Sequence, residues 1–363
     1  MSEFSLIDRY FTKIGGLPST SLQDDVVIDI GDDAAVVDVS RKDRLTISVD
    51  TSIEGVHFPK QTSPYDVGWK SLAVNLSDMA AMGAKPLWAT LAITLPKQDE
   101  SWLAEFSRGF DDLATRFGVR LIGGDTTRGP LSITVNIFGD ALANSSDNNS
   151  SHSAPSGLLR SGAKPGDKIY VSGFLGNAAL GLRSLDTKFP LSSTEEHELR
   201  FQLNRPMPRV NEALALKQYI NAAIDISDGL YADLQHVLSA SGVGAMVNVN
   251  NLPISRAYQW CCNGAQSYDI ALTGGDDYEL CVTVSPENEQ LFLNCIDDMR
   301  VKGITTEESG INSIESAGAE KIETPWTCIG EINSDSILVL LNANREEYFV
   351  NAHAYNHFAT ENE

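Results

Sequence analysis

The 363-residue sequence predicts two α/β (α+β) domains. Its length suffices for two cores of ordinary domain size. Apolar patterns of period 2 and period 3.6 alternate along the chain, which marks interleaved strands and helices. A polar low-complexity tract, NSSDNNSSHSAPSG at 144–157, interrupts that alternation. The expected layout is a domain at 1–143, a flexible linker or insertion at 144–157 and a second domain at 158–363. His152 within the tract reads as a solvated linker residue.

In the first half, Phe4, Ile7, Tyr10, Phe11 and Ile14 recur at helical spacing and stop at Gly15-Gly16. The stretch GDDAAVVDVSRKDRLTISVDTSIEGVHF, at 31–58, then carries a Gly-Asp-Asp turn and two short strands. In the second strand Leu45, Ile47 and Val49 are expected to bury one face. Thr46, Ser48 and Asp50 would emerge from the other, and a hydroxyl beside a carboxylate suits a hard cation such as Mg²⁺. Ser63-Pro64 reads as the N-cap and first residue of a helix reaching Met82, with Gly83 beyond its end. That helix is apolar except for Asn75 and Asp78, one turn apart. A strand at Pro86–Leu95 and a helix at Ser101–Phe117, stopped by Gly118, follow. Val119–Ile122 is a strand expected to open into the turn Gly123-Gly124-Asp125-Thr126-Thr127. There the glycines would let a ligand approach the backbone, and Asp125 could hold a metal. Leu131–Ala141 is the next strand.

The second half opens with RSGAKPGDKIYVSGFLGNAALGL, a turn, a strand and a Gly-rich entry into a helix, and Pro208 starts another helix. A buried-type strand at Ala223–Ile226 ends in Ser227-Asp228-Gly229 and is followed by a helix at Leu230–Ala240. Later LTGGDDYE, 272–279, leads into the strand Leu280–Val284. The acidic, Gly/Ser-rich segment 305–323 reads as an exposed loop. Strands at Thr327–Ile332 and Ile337–Leu341 precede a tail containing Tyr355. The pentapeptides Val74–Asp78 and Ile224–Asp228 are similar, and each precedes a Gly-Gly-Asp at matched spacing. This suggests two halves of related construction.

Composition narrows the function. A net charge of −22 excludes nucleic acid as the main partner, because no basic stripe exists to neutralise phosphates. A polyphosphate partner would need cations between it and the chain. The five cysteines form no CxxC pair, so neither a disulfide framework nor a zinc site is expected, and a reduced, cytoplasmic setting follows. The N-terminal MSEFSLIDRYF lacks the features of a signal peptide, and no apolar run approaches the roughly 18 residues of a membrane span.

Asp32, Asp33, Asp50, Asp78, Asp125, Asp225, Asp228, Asp276 and Asp277 fall at predicted strand ends, at turns or in the apolar helix. No Cys/His nucleophile arrangement, Walker A sequence or protein-kinase signature accompanies them. Many carboxylates without a nucleophile point to metal-assisted phosphoryl transfer on a nucleotide or another phosphate.

At these residues the chain resembles the thiamine-monophosphate kinase family of the aminoimidazole ribonucleotide synthetase superfamily. The resemblance rests on IGDDAAVV, SVDTSIEGVHF, KSLAVNLSDMAAMGAKP, LIGGDTTRGP, RSGAKPGDKIYVSG, RPMPRV, AIDISDGLYADL and LTGGDDYEL, in that order over nearly the whole chain. It implies ATP-dependent, in-line phosphorylation of thiamine monophosphate to thiamine diphosphate, with release of ADP and no phospho-enzyme. It also implies Mg²⁺ ions in a cleft, and an N-terminal domain that contributes strands to a barrel across a homodimer. By resemblance, Asp33, Ser48, Asp50, Asp78, Asp125, Asp225 and Asp228 are metal ligands, with Val49 using its carbonyl. Gly124, Asp125, Arg160 and Ser227 would contact ATP, and His57, Asp276 and Tyr355 the thiamine phosphate. The family commonly has Glu where Asp276 stands, and 144–157 and 305–323 look like insertions.

Two alternatives differ in class. One is another ATP-dependent enzyme of the superfamily, such as an aminoimidazole ribonucleotide synthetase. The selenophosphate synthetase and hydrogenase-maturation members use a Cys or selenocysteine near one terminus, whereas the first Cys here is Cys261 and the tail NHFATENE has none. The other is a non-catalytic nucleotide-binding homologue, whose mark would be lost acidic positions.

Overall fold

The computed structural model describes residues 9–15, 26–28, 30, 35–37, 45–141, 157–262, 267–302 and 326–350. The chain forms two compact units, Met1–Gly157 and Leu158–Glu363. The expected loop at 305–323, the tract at 144–156 and Tyr355 lie outside the described residues, as do Asp32 and Asp33.

In the first unit, β1 (Val26–Ile28) pairs antiparallel with β2 (Val36–Val37). The main sheet has four strands, β3 (Leu45–Ile53), β4 (Lys85–Leu95), β5 (Arg120–Arg128) and β6 (Ser132–Asp140), in the order β3-β6-β4-β5. Its helices are α1 (Pro64–Ala81) and α2 (Glu100–Phe117). Local chemistry sets their ends. The Ser63 side chain caps α1 by accepting from Asp66 N, with Pro at the first turn. Asp99 caps α2, and Gly118 ends it in the left-handed conformation at φ 66°. The two helices cross closely through glycines: a Cβ on Gly68 would meet Phe106 O at 2.1 Å, and one on Gly109 would meet Tyr65 O at 2.0 Å. Leu72, Ala73, Leu76 and Met79 of α1 are fully buried, together with Ile133 and Ile137 of β6.

The faces of β3 are the reverse of the sequence expectation. Ser48 and Asp50 are in register with the buried Ile137 and Val135, so they point toward the helices. Leu45, Ile47, Val49 and Ile53 point outward, Ile47 being 59% and Val49 57% exposed. Alternation defines two faces but not which one the helices cover. Here α1 brings its own polar residues to meet the polar face.

The second unit is built on a six-stranded sheet of β7 (Lys168–Ser172), β8 (Ile220–Ile226), β9 (Gly244–Asn248), β10 (Glu279–Val284), β11 (Trp326–Asn333) and β12 (Leu338–Leu341). Its order is β12-β9-β11-β7-β10-β8, antiparallel except for the β12/β9 pair. Helices α3 (Asn177–Arg183), α4 (Ser193–Asn204), α5 (Val210–Leu216), α6 (Leu230–Ser241), α7 (Arg256–Cys261), α8 (Asp269–Thr273) and α9 (Pro286–Val301) accompany it. Ile169, Val171, Ile224, Leu234, Val247 and Ile329 lie in one core cluster. No described helix is long and apolar enough to cross a membrane.

The suspected internal repeat has no counterpart in local structure. Val74–Asp78 is the interior of α1, whereas Ile224–Asp228 is the end of β8 and the turn after it.

Candidate functional site

The first unit places a hydroxyl and two carboxylates between β3 and α1. Ser48 Oγ donates a short hydrogen bond to Asp78 Oδ2. Asp50, two residues along the same strand face, shares a hydrogen bond with the Asp78 carboxyl. Burial, then the Asp78 charge and that bond, push the Asp50 carboxyl up to about 7. Two carboxyls this close retain a proton unless a cation compensates them. All three side chains offer hard oxygen donors, the set that Mg²⁺ accepts. The donor chemistry therefore fits the expected metal. Among the described residues, however, no three His, Cys, Asp or Glu side chains converge on one point.

Asp125 shows why. The segment 123–127 was expected to be a turn, but it is the middle of β5, a parallel edge strand continuing to Arg128. Asp125 is in register with Ala92 and, across β6, with Thr134 and Thr51. It is exposed, on the sheet face away from Asp50, three strands or roughly 14 Å from β3. Gly124 is required for a protein contact: a Cβ there would meet Leu91 O of β4 at 1.9 Å, at φ +156°. Val49 is exposed on the same outer face as Asp125.

His57 lies in the turn after β3, where its own N–H donates to Ile53 O at 2.9 Å. Its Nδ1 accepts the Ile53 N–H at 3.0 Å. A neutral ring so held carries its proton on Nε2.

The second unit gathers its own set. The β8/β10 pairing continues into the loops beyond: Tyr278 N donates to Ile226 O at 2.9 Å, and Asp276 N to Ser227 O at 2.9 Å. LTGGDDYE and DISDG, at 272–279 and 225–229, are thereby fastened backbone to backbone. Asp225 is buried at the end of β8, while Ser227, Asp228 and Asp276 are half-buried. Asp276 and Tyr278 have positive φ, 71° and 50°, and Tyr278 Oη donates to Asp276 Oδ1 at 3.2 Å. Asp tolerates the left-handed region better than Glu does. That is a local reason for Asp at 276. Asp277 turns inward, accepting from Gly176 N at 2.7 Å and Ala178 N at 3.4 Å, and burial raises its carboxyl well above the usual range. Arg160 is exposed, and its side chain bonds to nothing among the described residues.

Two supporting groups escaped the sequence reading. Asp233 Oδ2 accepts the N–H groups of Ser227, Asp228 and Gly229, each at 3.1 Å, so one buried oxygen sets the whole turn. Burial pushes its carboxyl up to about 6. Its signal in the sequence was an acid in the first turn of a helix, where N–H groups point outward. Arg209 forms a bidentate pair with Glu279, Nε to Oε2 at 2.7 Å and Nη2 to Oε1 at 2.6 Å, and Ser172 Oγ donates to the same carboxylate at 2.5 Å. A pairing across 70 residues leaves no local trace.

Comparisons with known proteins show the family. Residues 31–141 match the family described as AIR synthase related protein, N-terminal domain, and residues 164–313 match the corresponding C-terminal domain. A curated thiamine-monophosphate kinase from Salmonella typhimurium is 42% identical over 361 residues, covering 99% of this chain and 98% of its own. The crystal structure of a thiamine-monophosphate kinase from Stenotrophomonas maltophilia is similar with TM-score 0.76 and 38% identity, covering 94% of this chain and 96% of that one. AaThiL, solved in complex with AMPPCP and TMP, is similar with TM-score 0.69 and 27% identity, covering 91% and 92%.

Proposed function

The chain belongs to the AIR synthase related protein family, and from that premise we propose that it is a thiamine-monophosphate kinase. The reaction is transfer of the γ-phosphoryl group of ATP to thiamine monophosphate. A phosphate oxygen of the acceptor bonds to the γ-phosphorus as the bond to the β,γ-bridging oxygen breaks, giving thiamine diphosphate and ADP. The observation that carries the reading is the end-to-end match to proteins of that name. It runs through the Ser48–Asp50 strand, the Asp78 helix, the DISDG turn and the GGDDYE loop.

We assign Ser48, Asp50 and Asp78 to holding Mg²⁺ in the first unit, with Asp33 and the Val49 carbonyl. In the second unit Asp225 and Asp228 serve the same purpose. The metal, when bound, neutralises phosphate charge that this acidic chain could not otherwise accept. The chain itself orients the reactants. We assign His57, through Nε2–H, to the acceptor's phosphate, and Asp276 and Tyr355 to the thiamine portion. Arg160 supplies a free guanidinium to ATP, Ser227 a hydroxyl in a fixed turn, and Gly124 a backbone edge.

We further assign the outward face of β3 to a second copy of the chain. Leu45, Ile47, Val49 and Ile53, with Val56 at 52% exposure, form an apolar stripe on the edge strand. Isolated monomers seldom leave such a stripe bare. Asp125 lies on that same face, which gives the dimer a place in the site. Both substrates are small molecules, and no basic surface for nucleic acid is expected at this net charge.

Product analysis tests the reading. Purified protein with MgATP and thiamine monophosphate should yield thiamine diphosphate and ADP one for one. ADP formed only with formylglycinamidine ribonucleotide would move the chain to purine synthesis instead.

A further inference from the structure

Helix α6 ends at Ser241, and that hydroxyl does nothing for its own helix. Gly242 closes α6, its N–H reaching Leu238 O and Ser239 O. The Ser241 hydroxyl instead makes three hydrogen bonds to one short segment. It donates to Arg160 O at 3.1 Å and accepts from Gly162 N and Ala163 N, each at 3.2 Å. A serine hydroxyl has one donor and two acceptor positions, so its capacity is filled by this segment alone.

The rest of the segment is held as firmly. Leu159 O accepts from Ala223 N of β8 at 2.9 Å. Gly162 sits at φ +131°, where a Cβ would meet Asn221 O at 2.4 Å. Beyond it Lys164 N and Asn221 Nδ2 both donate to Asp167 Oδ2, at 3.0 and 2.9 Å. The backbone on both sides of Arg160 is thus immobilised, while its guanidinium is exposed and unpaired among the described residues. A cation left free on a fixed backbone is arranged for an external anion. Pre-setting its position lowers the ordering cost of binding.

The opposite end of α6 carries the matching device, because Asp233 pins the Ser227–Gly229 turn. One helix of 12 residues, about 18 Å long, therefore fastens two segments that lie far apart in sequence.

We propose that Ser241 is a positioning residue for nucleotide binding, acting through Arg160. The inference rests on the assignment of Arg160 to ATP. Steady-state kinetics of the full-length protein test it with Ser241→Ala, Ser241→Thr, Arg160→Ala and the double variant Ser241→Ala/Arg160→Ala. Ser241→Ala should raise KM for MgATP on the order of 5- to 10-fold, equivalent to roughly one lost hydrogen bond. KM for thiamine monophosphate should stay within about twofold, since the residues assigned to that substrate, His57, Asp276 and Tyr355, are not part of this segment. Ser241→Thr, which keeps the hydroxyl, should restore KM for MgATP. In the Arg160→Ala background, Ser241→Ala should add nothing.

A Ser241→Ala variant with unchanged KM for MgATP, beside an impaired Arg160→Ala, would overturn the proposal and leave the Arg160 assignment standing. So would an equal rise in both KM values, or a full additive effect on top of Arg160→Ala, since either describes a merely structural serine. If Arg160→Ala itself leaves KM for MgATP unchanged, the Arg160 assignment fails first and the proposal with it.

Discussion

Ser48 and Asp78 meet across two elements, the strand hydroxyl donating to the helix carboxylate, with Asp50 bonded to the same carboxyl. Without a cation this arrangement crowds two partly buried acids. The metal-free protein therefore carries an electrostatic burden at the place where the function needs charge.

Asp50→Asn relieves that burden and removes a ligand. The variant should melt at or above the wild-type temperature in the presence of a chelator. Turnover at saturating Mg²⁺ should fall by about 10²–10³, the range for losing one group that stabilises transferring charge. Thermal melts with chelator and turnover assays check the two halves. Near-normal turnover would remove Asp50 from the metal site.

Arg209 is buried against Glu279, with Glu212 Oε1 3.6 Å from its Nη1. Arg209→Met leaves Glu279 without its cation and should cost about 3–5 kcal/mol, the range for breaking a buried pair from one side. Urea denaturation of the purified variant measures it. A loss under about 1 kcal/mol would show that Ser172 alone satisfies the carboxylate.

Asp99 caps α2 by accepting from Trp102 N at 3.1 Å, with Ser101 Oγ at 2.7 Å and Lys97 Nζ at 3.0 Å also on its carboxylate. The Ser101 bond first, then those to Lys97 and Trp102, hold this carboxyl well below the usual range. A depressed folded-state value means the stabilisation is present above the unfolded value near 4 and is lost as pH falls through the acid range below it. Asp99→Ala should thus lower Tm at pH 7 and lower it much less at pH 2. Paired melts at the two pH values decide it, and an equal drop at both would place the effect in packing.

How much of this was legible depended on how local the cause is. Ser63-Pro64 and Gly118 announce helix ends through backbone chemistry confined to a few residues, and the structure has them there. The alternation in β3 was equally plain, yet its facing was inverted, because a pattern does not say which side a helix will cover. Residues 123–127 looked like a turn because glycine is the usual turn residue. Gly124 instead answers to a carbonyl of β4 that the sequence cannot place. The candidate carboxylates were named from residue type and position alone. What holds them, Asp233 under the DISDG turn and Arg209 under Glu279, is tertiary and left little or no mark.

His57 gives the sharpest test of the substrate half. Since Nδ1 accepts the Ile53 N–H at 3.0 Å, a neutral ring donates through Nε2. His57→Ala should raise KM for thiamine monophosphate on the order of 10-fold, about 1.4 kcal/mol, with KM for ATP little changed. Two amide variants separate the nitrogens. Gln places its terminal amide near the Nε2 position, whereas Asn reaches only the Nδ1 position. His57→Gln should therefore keep a lower KM for thiamine monophosphate than His57→Asn. The opposite order would mean that the Ile53 contact, and with it the shape of the turn after β3, is the contribution of His57.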